Sequence, residues 1–153
     1  MDTSLNGRVA LITGGSKGLG LAMAKAYYLA GAKVSILARD AKALSNAEDE
    51  IRRLSVSDNV SANNAIASFV CDVTDPQGII ATHKEVVGSL GNIDILVNNA
   101  GQSAAKPFIQ ITDEEWQADL DLKLMAAVRL TRLVWPHMSE QKWGRGINLL
   151  NVY

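Results

Sequence analysis

Cysteine and histidine are nearly absent from this sequence. Cys71 is the single cysteine, so no internal disulfide can form, and His83 and His137 are the only histidines, so no cluster has metal-ligand spacing. A reducing compartment, the cytoplasm, and no metal site are expected. Charge of one sign is also missing: a formal net charge of -1 leaves no excess of Lys and Arg to attract nucleic acid or an anionic membrane. No apolar run approaches the roughly 20 residues that span a bilayer. The polar opening, Met1 to Arg8, lacks the charged-then-apolar layout of a signal peptide. What remains is a chain of 153 residues, 48% hydrophobic and 20% charged, which suits one globular domain with a small-molecule ligand.

Short apolar runs alternate with amphipathic stretches from end to end. Val9 to Ile12, Val34 to Ala38, Ala65 to Cys71, Ile93 to Val97 and Ile147 to Leu150 read as strands buried on both faces. Between them, Leu19, Ala22, Met23, Ala26 and Ala30 form a helical stripe that Gly31 stops in a left-handed conformation. A second helix is expected over Lys42 to Leu54. A third starts at Asp75 with Pro76 in its first turn and runs to Leu90. The longest opens at Thr112 with Glu115, a capping-box spacing, and continues through Trp116, Leu120, Leu124 and Val128 to Met138. The stretch Ser55 to Asn64 reads as a surface loop. Five strands alternating with four helices, joined by right-handed crossovers, predict a doubly wound parallel α/β sheet.

The segment Val9-Ala-Leu-Ile-Thr-Gly-Gly-Ser-Lys-Gly-Leu-Gly20 is a strand that breaks into a glycine-rich turn and opens a helix. Gly14, Gly18 and Gly20 allow a sharp turn, close approach of a pyrophosphate, and tight packing of helix on strand. Free amides and the positive dipole end of the helix add affinity for phosphate. The spacing is G-x3-G-x-G, which disfavours an ATP-binding loop of the G-x4-G-K-[ST] kind.

Thr13-Gly-Gly-Ser-Lys-Gly-Leu-Gly20 resembles the T-G-x3-G-x-G signature of the short-chain dehydrogenase/reductase family, and further likenesses follow in order. Cys71-Asp-Val resembles the end of the family's third strand, where an aspartate accepts a hydrogen bond from the adenine amino group. Asn98-Asn-Ala-Gly101 resembles its N-N-A-G motif, and Trp143-Gly-Arg-Gly-Ile-Asn148 its approach to the fifth strand. The resemblance covers nearly the whole chain. It implies a three-layer Rossmann-type domain over residues 1–153 with strand order 3-2-1-4-5. Thr13, Gly14, Ser16, Lys17, Gly18, Leu19, Gly20, Arg39, Asp72, Val73, Asn99, Ala100 and Gly101 are then expected to contact a nicotinamide dinucleotide. Asp72 also has a plainer role open to it, as a cap on the helix near Asp75. Cys71 is expected to be a small buried hydrophobe and the two histidines ordinary helix residues without partners. Trp116, Trp135 and Trp143 are assigned to packing, and Arg129 and Arg132 to the helix surface.

Cofactor choice turns on the end of the second strand, where NAD selection calls for a carboxylate on the ribose hydroxyls. Here Ala38 leaves room for a 2′-phosphate that Arg39 can bind, with Lys17 nearby, so NADP(H) is expected over NAD(H). The alternative is that Asp40 swings back to hold the ribose. By resemblance the reaction is hydride transfer between the nicotinamide and a small carbonyl or secondary alcohol, reduction of a 3-oxoacyl thioester being one familiar instance. Lys123 falls at the family's asparagine and Asn151 at its serine, and both depart from the pattern. The family's Y-x3-K pair would lie beyond the last residue, so Tyr153 is not the catalytic tyrosine. The chain is therefore expected to be truncated on its C-terminal side, inactive by itself, and without the helix through which the family forms homo-oligomers. Two other readings stay open: a non-catalytic dinucleotide-binding or interaction protein, and an inactive truncated product.

Overall fold

A computed structural model describes residues 4–57, 64–102 and 105–150. Five strands, β1 (Val9–Thr13), β2 (Lys33–Ala38), β3 (Ala65–Val70), β4 (Ile95–Asn98) and β5 (Arg145–Asn148), form one sheet in the order β3-β2-β1-β4-β5. All four pairings are parallel, with Ile12 opposite Ile36 on one side and Val97 on the other. The helices α1 (Gly18–Leu29), α2 (Ala41–Ser57), α3 (Pro76–Leu90), α4 (Asp113–Leu120) and α5 (Ala126–Glu140) connect the strands. This is the expected Rossmann-type arrangement, with the chain reversing direction across the sheet between β1 and β4.

The three layers follow from the two-residue period of a strand. On β1, Ala10 and Ile12 join Ala24, Tyr28, Leu44 and Ile51 on the α1–α2 face. Val9 and Leu11 join Val86, Leu90, Leu130 and Val134 on the α3–α5 face. All five residues of β1 are buried, as an apolar central strand requires. The helix ends follow local chemistry. Gly31, at φ +94°, turns the chain after α1, and Asp75 caps α3 by accepting the Gln77 amide at 3.0 Å, with Pro76 in the first turn. Thr112 and Glu115 form the reciprocal capping box of α4.

Several boundaries differ from the sequence expectation. β4 begins at Ile95 rather than Ile93, and β5 covers Arg145–Asn148 rather than Ile147 to Leu150. Register explains both: Ile95 pairs with Arg145, and the Arg145 amide bonds the Asp94 carbonyl at 3.0 Å. Neither edge strand is buried on both faces as expected: all four residues of β5 are exposed, and on β3 only Ile66 is buried. Helix α2 continues to Ser57, into the stretch read as a loop, of which residues 58–63 lie outside the described set. The expected single long helix is two helices separated by a π-turn, Asp121–Met125, where the Ala126 amide reaches back five residues to the Asp121 carbonyl. A one-turn Phe108–Gln110 3₁₀ helix precedes α4.

His137 and Trp143 have partners that sequence reading denied or missed. Asp94, only 5% exposed, accepts the Val9 amide at 2.9 Å and Gln141 Nε2 at 2.6 Å, with Arg8 and His137 each 3.4 Å away. Arg8 also lies over the Trp143 ring, 3.8 Å from its centre, with Arg145 at 4.7 Å. Buried carboxylates need such donors to offset lost hydration. This cluster fastens the starts of β1 and β4 to the end of α5, at the edge of the sheet opposite the glycine turn.

Candidate cofactor and substrate cleft

The C-terminal ends of the parallel strands and the start of α1 make the region where open α/β sheets bind ligands. Gly14 and Gly18 have φ of +64° and +56°, conformations that side chains strain to adopt. A Cβ on Gly18 would project into open space, whereas one on Gly20 would lie 2.2 Å from the Gly14 carbonyl oxygen. Gly18 thus keeps an approach clear and Gly20 lets the helix touch the turn. Gly15 plays a similar part that sequence reading missed, since a Cβ there would lie 2.6 Å from Ile36 Cγ2.

Helix α1 starts without a side-chain cap: Lys17 at the N-cap makes no capping hydrogen bond, and the first return bond is from the Leu21 amide to the Lys17 carbonyl at 3.2 Å. The amides of Gly18, Leu19 and Gly20 have no acceptor among the described residues. Three uncapped donors at a positive dipole end fit a phosphate. Ser16 and Lys17 flank them; Lys17 and Leu19 are exposed, Leu19 by 67%.

Thr13 and Asn99 brace this turn. Thr13 Oγ1 accepts the amides of Asn99 at 3.0 Å and Ala100 at 2.9 Å and donates to the Val97 carbonyl at 3.4 Å. Asn99 Nδ2 donates to the carbonyls of Thr13 at 3.0 Å and Gly14 at 3.1 Å. The side-chain donors of both residues are spent on holding the loop after β4 against the glycine turn. Ala100 and Gly101 follow on the cleft wall, while Asn98 Nδ2 donates to Asn148 Oδ1 at 2.8 Å across the ends of β4 and β5.

At the other end, beyond β2, Arg39 is exposed and makes no hydrogen bond or ion pair among the described residues. Asp40 does not turn back toward it: its Oδ1 accepts the amides of Lys42 at 2.9 Å and Ala43 at 3.0 Å, capping α2. This geometry engages one oxygen of the carboxylate that the alternative would use to hold a ribose. Asp72 does not cap α3 either. Its Oδ1 accepts the Thr74 amide at 2.9 Å and hydroxyl at 2.8 Å, and these bonds, aided by the charge of Arg39, lower its pKa. Val73 beside it is buried. Arg129, expected on or near the helix surface, is partly buried near it, with Nη1 3.4 Å from the Thr74 carbonyl and Nη2 3.5 Å from Asp121.

Between the Asn99–Gly101 wall and the π-turn lies a cleft of about 930 Å³, walled by Thr13, Leu19, Lys123 and Trp135 among others. Lys123 projects from the π-turn and pairs with Asp119 at 2.8 Å. From that turn onward, Leu124, Ala127, Thr131 and Trp135 recur at helical spacing along the cleft. That periodicity could have identified them in the sequence; the extra residue of the π-turn, which sets the face, left no such signal. Asn151 and Tyr153 lie outside the described residues. Among the described residues no group of three or more His, Cys, Asp or Glu is placed to hold a metal, and no helix is long and apolar enough to cross a membrane.

Comparison with known proteins agrees with this geometry. The family model described as short chain dehydrogenase matches residues 8–152. An uncharacterised oxidoreductase of Mycobacterium tuberculosis is 34% identical over 99% of this chain and 44% of its own length. A 3-oxoacyl-[acyl-carrier-protein] reductase of Salmonella typhimurium is 32% identical over 97% of this chain and 57% of its own. Among solved structures, L-sorbose reductase from Gluconobacter frateurii, complexed with NADPH and L-sorbose, superposes with a TM-score of 0.85 at 37% identity, covering 97% of this chain and 54% of that one. The chain thus spans about half the length of the proteins it matches.

Proposed function

Because the chain belongs to the short-chain dehydrogenase family, we propose that it carries, in one domain, the cofactor-binding part of an oxidoreductase that takes NADP(H) in preference to NAD(H). The whole protein transfers hydride between the nicotinamide and a small carbonyl or secondary alcohol. The observation that carries the cofactor preference is at the end of β2: Arg39 is exposed and unpaired among the described residues, while Asp40 is committed to capping α2. A guanidinium with no carboxylate competing for the ribose favours a 2′-phosphate.

The dinucleotide, when bound, would give hydride to a carbonyl or accept it from an alcohol. This chain's residues bind and orient it. The uncapped amides of Gly18, Leu19 and Gly20 hold the pyrophosphate with Ser16 and Lys17 beside them, and the free Oδ2 of Asp72 accepts from the adenine amino group against Val73. Ala100 and Gly101 line the path toward the nicotinamide, kept in place by the Thr13–Asn99 brace. Work in the cytoplasm suits a chain with one buried thiol.

A second reading, binding without turnover, draws on Lys123, which stands on the cleft wall paired with Asp119 where the family pattern has an asparagine. Thermal melting with NADPH and NADH tests the cofactor claim common to both. Saturable stabilisation at lower NADPH than NADH concentration is expected; a cooperative melt unmoved by either nucleotide, or moved more by NADH, refutes it. NADPH oxidation with a panel of ketones then separates the enzyme from the binder.

A further inference from the structure

Arg129 joins two parts of the molecule that the proposed reaction uses separately. Its Nη1 donates to the Thr74 carbonyl at 3.4 Å and its Nη2 to Asp121 Oδ1 at 3.5 Å. Thr74 in turn holds Asp72, whose Oδ1 accepts both the amide and the hydroxyl of that threonine. Asp121 opens the π-turn: its carbonyl accepts the Ala126 amide, and its Oδ2 accepts Gln117 Nε2 of α4 at 3.4 Å. Leu122, Lys123 and Leu124 of that turn stand on the cleft wall, whereas Arg129 does not. A path of direct contacts through Asp72, Thr74, Arg129 and Asp121 thus runs from the carboxylate proposed for the adenine to the wall beside which the substrate would lie.

The pair and the π-turn depend on each other. Asp121 and Arg129 are eight positions apart, and in a continuous α-helix side chains at that spacing point about 80° apart. One residue taken up by the π-turn makes the eight behave as seven, which brings the two side chains within about 20° of a common face. Both Arg129 contacts stand at the long end of the hydrogen-bond range, so they have room to shorten when the loop carrying Thr74 is fixed. From this geometry we infer that Arg129 is a positioning residue: binding of the adenosine end of the cofactor at Asp72 fixes Thr74, tightens Arg129 on Asp121, and so holds the π-turn and its cleft wall in one arrangement. The inference rests on the cofactor reading above and adds a coupling between that site and the cleft. The competing arrangement is the unbroken α-helix, in which Asp121 and Arg129 are out of phase. Coupling between two equilibria is reciprocal, so removing Arg129 also weakens the nucleotide.

The test uses the 153-residue chain and 2′,5′-ADP, which carries the adenine, the ribose and the 2′-phosphate but no nicotinamide, so that an effect on the cleft wall travels through the protein. Hydrogen–deuterium exchange of the segment from Asp121 to Ala126 is followed with and without the nucleotide, and affinity is measured by calorimetric titration. Saturating 2′,5′-ADP is expected to slow exchange in that segment about fivefold. Arg129→Met should abolish the slowing and weaken 2′,5′-ADP by about the same factor, although Arg129 bonds no residue of the glycine turn. Asp121→Asn leaves Arg129 in place and removes only the charge of its partner; it should reduce both effects, and it decides the matter if Arg129→Met does not melt cooperatively. Slowing in these variants equal to that in the unaltered chain, or none in an unaltered chain that 2′,5′-ADP saturably stabilises, overturns the inference and leaves the cofactor reading standing. Failure of 2′,5′-ADP to bind strikes the cofactor reading first, and this inference with it.

Discussion

The two sides of the sheet's first strand are finished to different degrees. Toward β2, strands and helices cover one another: β1 is wholly buried, and Ile36, Leu44 and Ile51 are at most 1% exposed, the cover thinning only at edge strand β3, where Val70 is open. Toward β5, the described residues leave large apolar side chains in the open, with Trp135 at 64% exposure, Leu150 at 77%, and no residue of α4 buried. The glycine turn, Arg39 and Asp72 belong to the covered side, and Lys123 and Trp135 to the open one. The residues proposed for cofactor recognition therefore rest on a packed frame, while the wall proposed for the substrate stands on elements that the described residues cover little.

The sharpest way to break this comparison is to delete equivalent volume on each side. Leu11→Ala is expected to cost about 3 kcal/mol of stability through the cavity it leaves. Ile147→Ala, on exposed β5, should cost no more than about 0.5 kcal/mol. Urea titration of both variants measures the difference, and equal losses would show that β5 is buried in solution. Next in size is Gly20→Ala. The added Cβ would meet the Gly14 carbonyl at 2.2 Å, so a loss of about 2 kcal/mol is expected, together with loss of stabilisation by NADPH. Arg39→Ala should weaken NADPH by about tenfold and leave NADH within a factor of about two, as read by equilibrium titration.

The smallest expected effect concerns pH. Burial lowers the pKa of His83 on α3. The unfolded chain then binds a proton that the folded chain refuses, so stability is complete above about pH 6.5, the ordinary imidazole value, and declines as pH falls through it. Replacement by glutamine should flatten that part of the stability profile; an unchanged slope would assign it to other groups.

What could be read in the sequence was what local chemistry determines. Strand and helix order, the Asp75 and Thr112 caps, and the stop at Gly31 are written in neighbouring residues, and so is the glycine turn. The positions of Gly14, Gly18 and Gly20 could be foreseen because a backbone that must turn and approach a helix tolerates few residue types, whereas Thr13 was named by resemblance alone. Partnerships between distant residues could not. Asp94 with His137, and the brace from Thr13 to Asn99, depend on how strands register across the sheet. The π-turn is a one-residue phase shift in a pattern that apolar periodicity reads as continuous, so Lys123 could be named by resemblance but not placed on the cleft wall. Asp40 shows the same limit: capping a helix and holding a ribose call for the same residue type, and its bonds to the amides of Lys42 and Ala43 are seen only in the folded backbone.

The central claim is that the covered side of the molecule binds NADP(H) through the glycine turn and Arg39. Its most direct test is the ratio of the NADH and NADPH dissociation constants of the purified chain, measured by fluorescence titration. A ratio of about ten or more in favour of NADPH is predicted. Equal affinities, tighter binding of NADH, or no binding by a cooperatively folded chain would contradict the account.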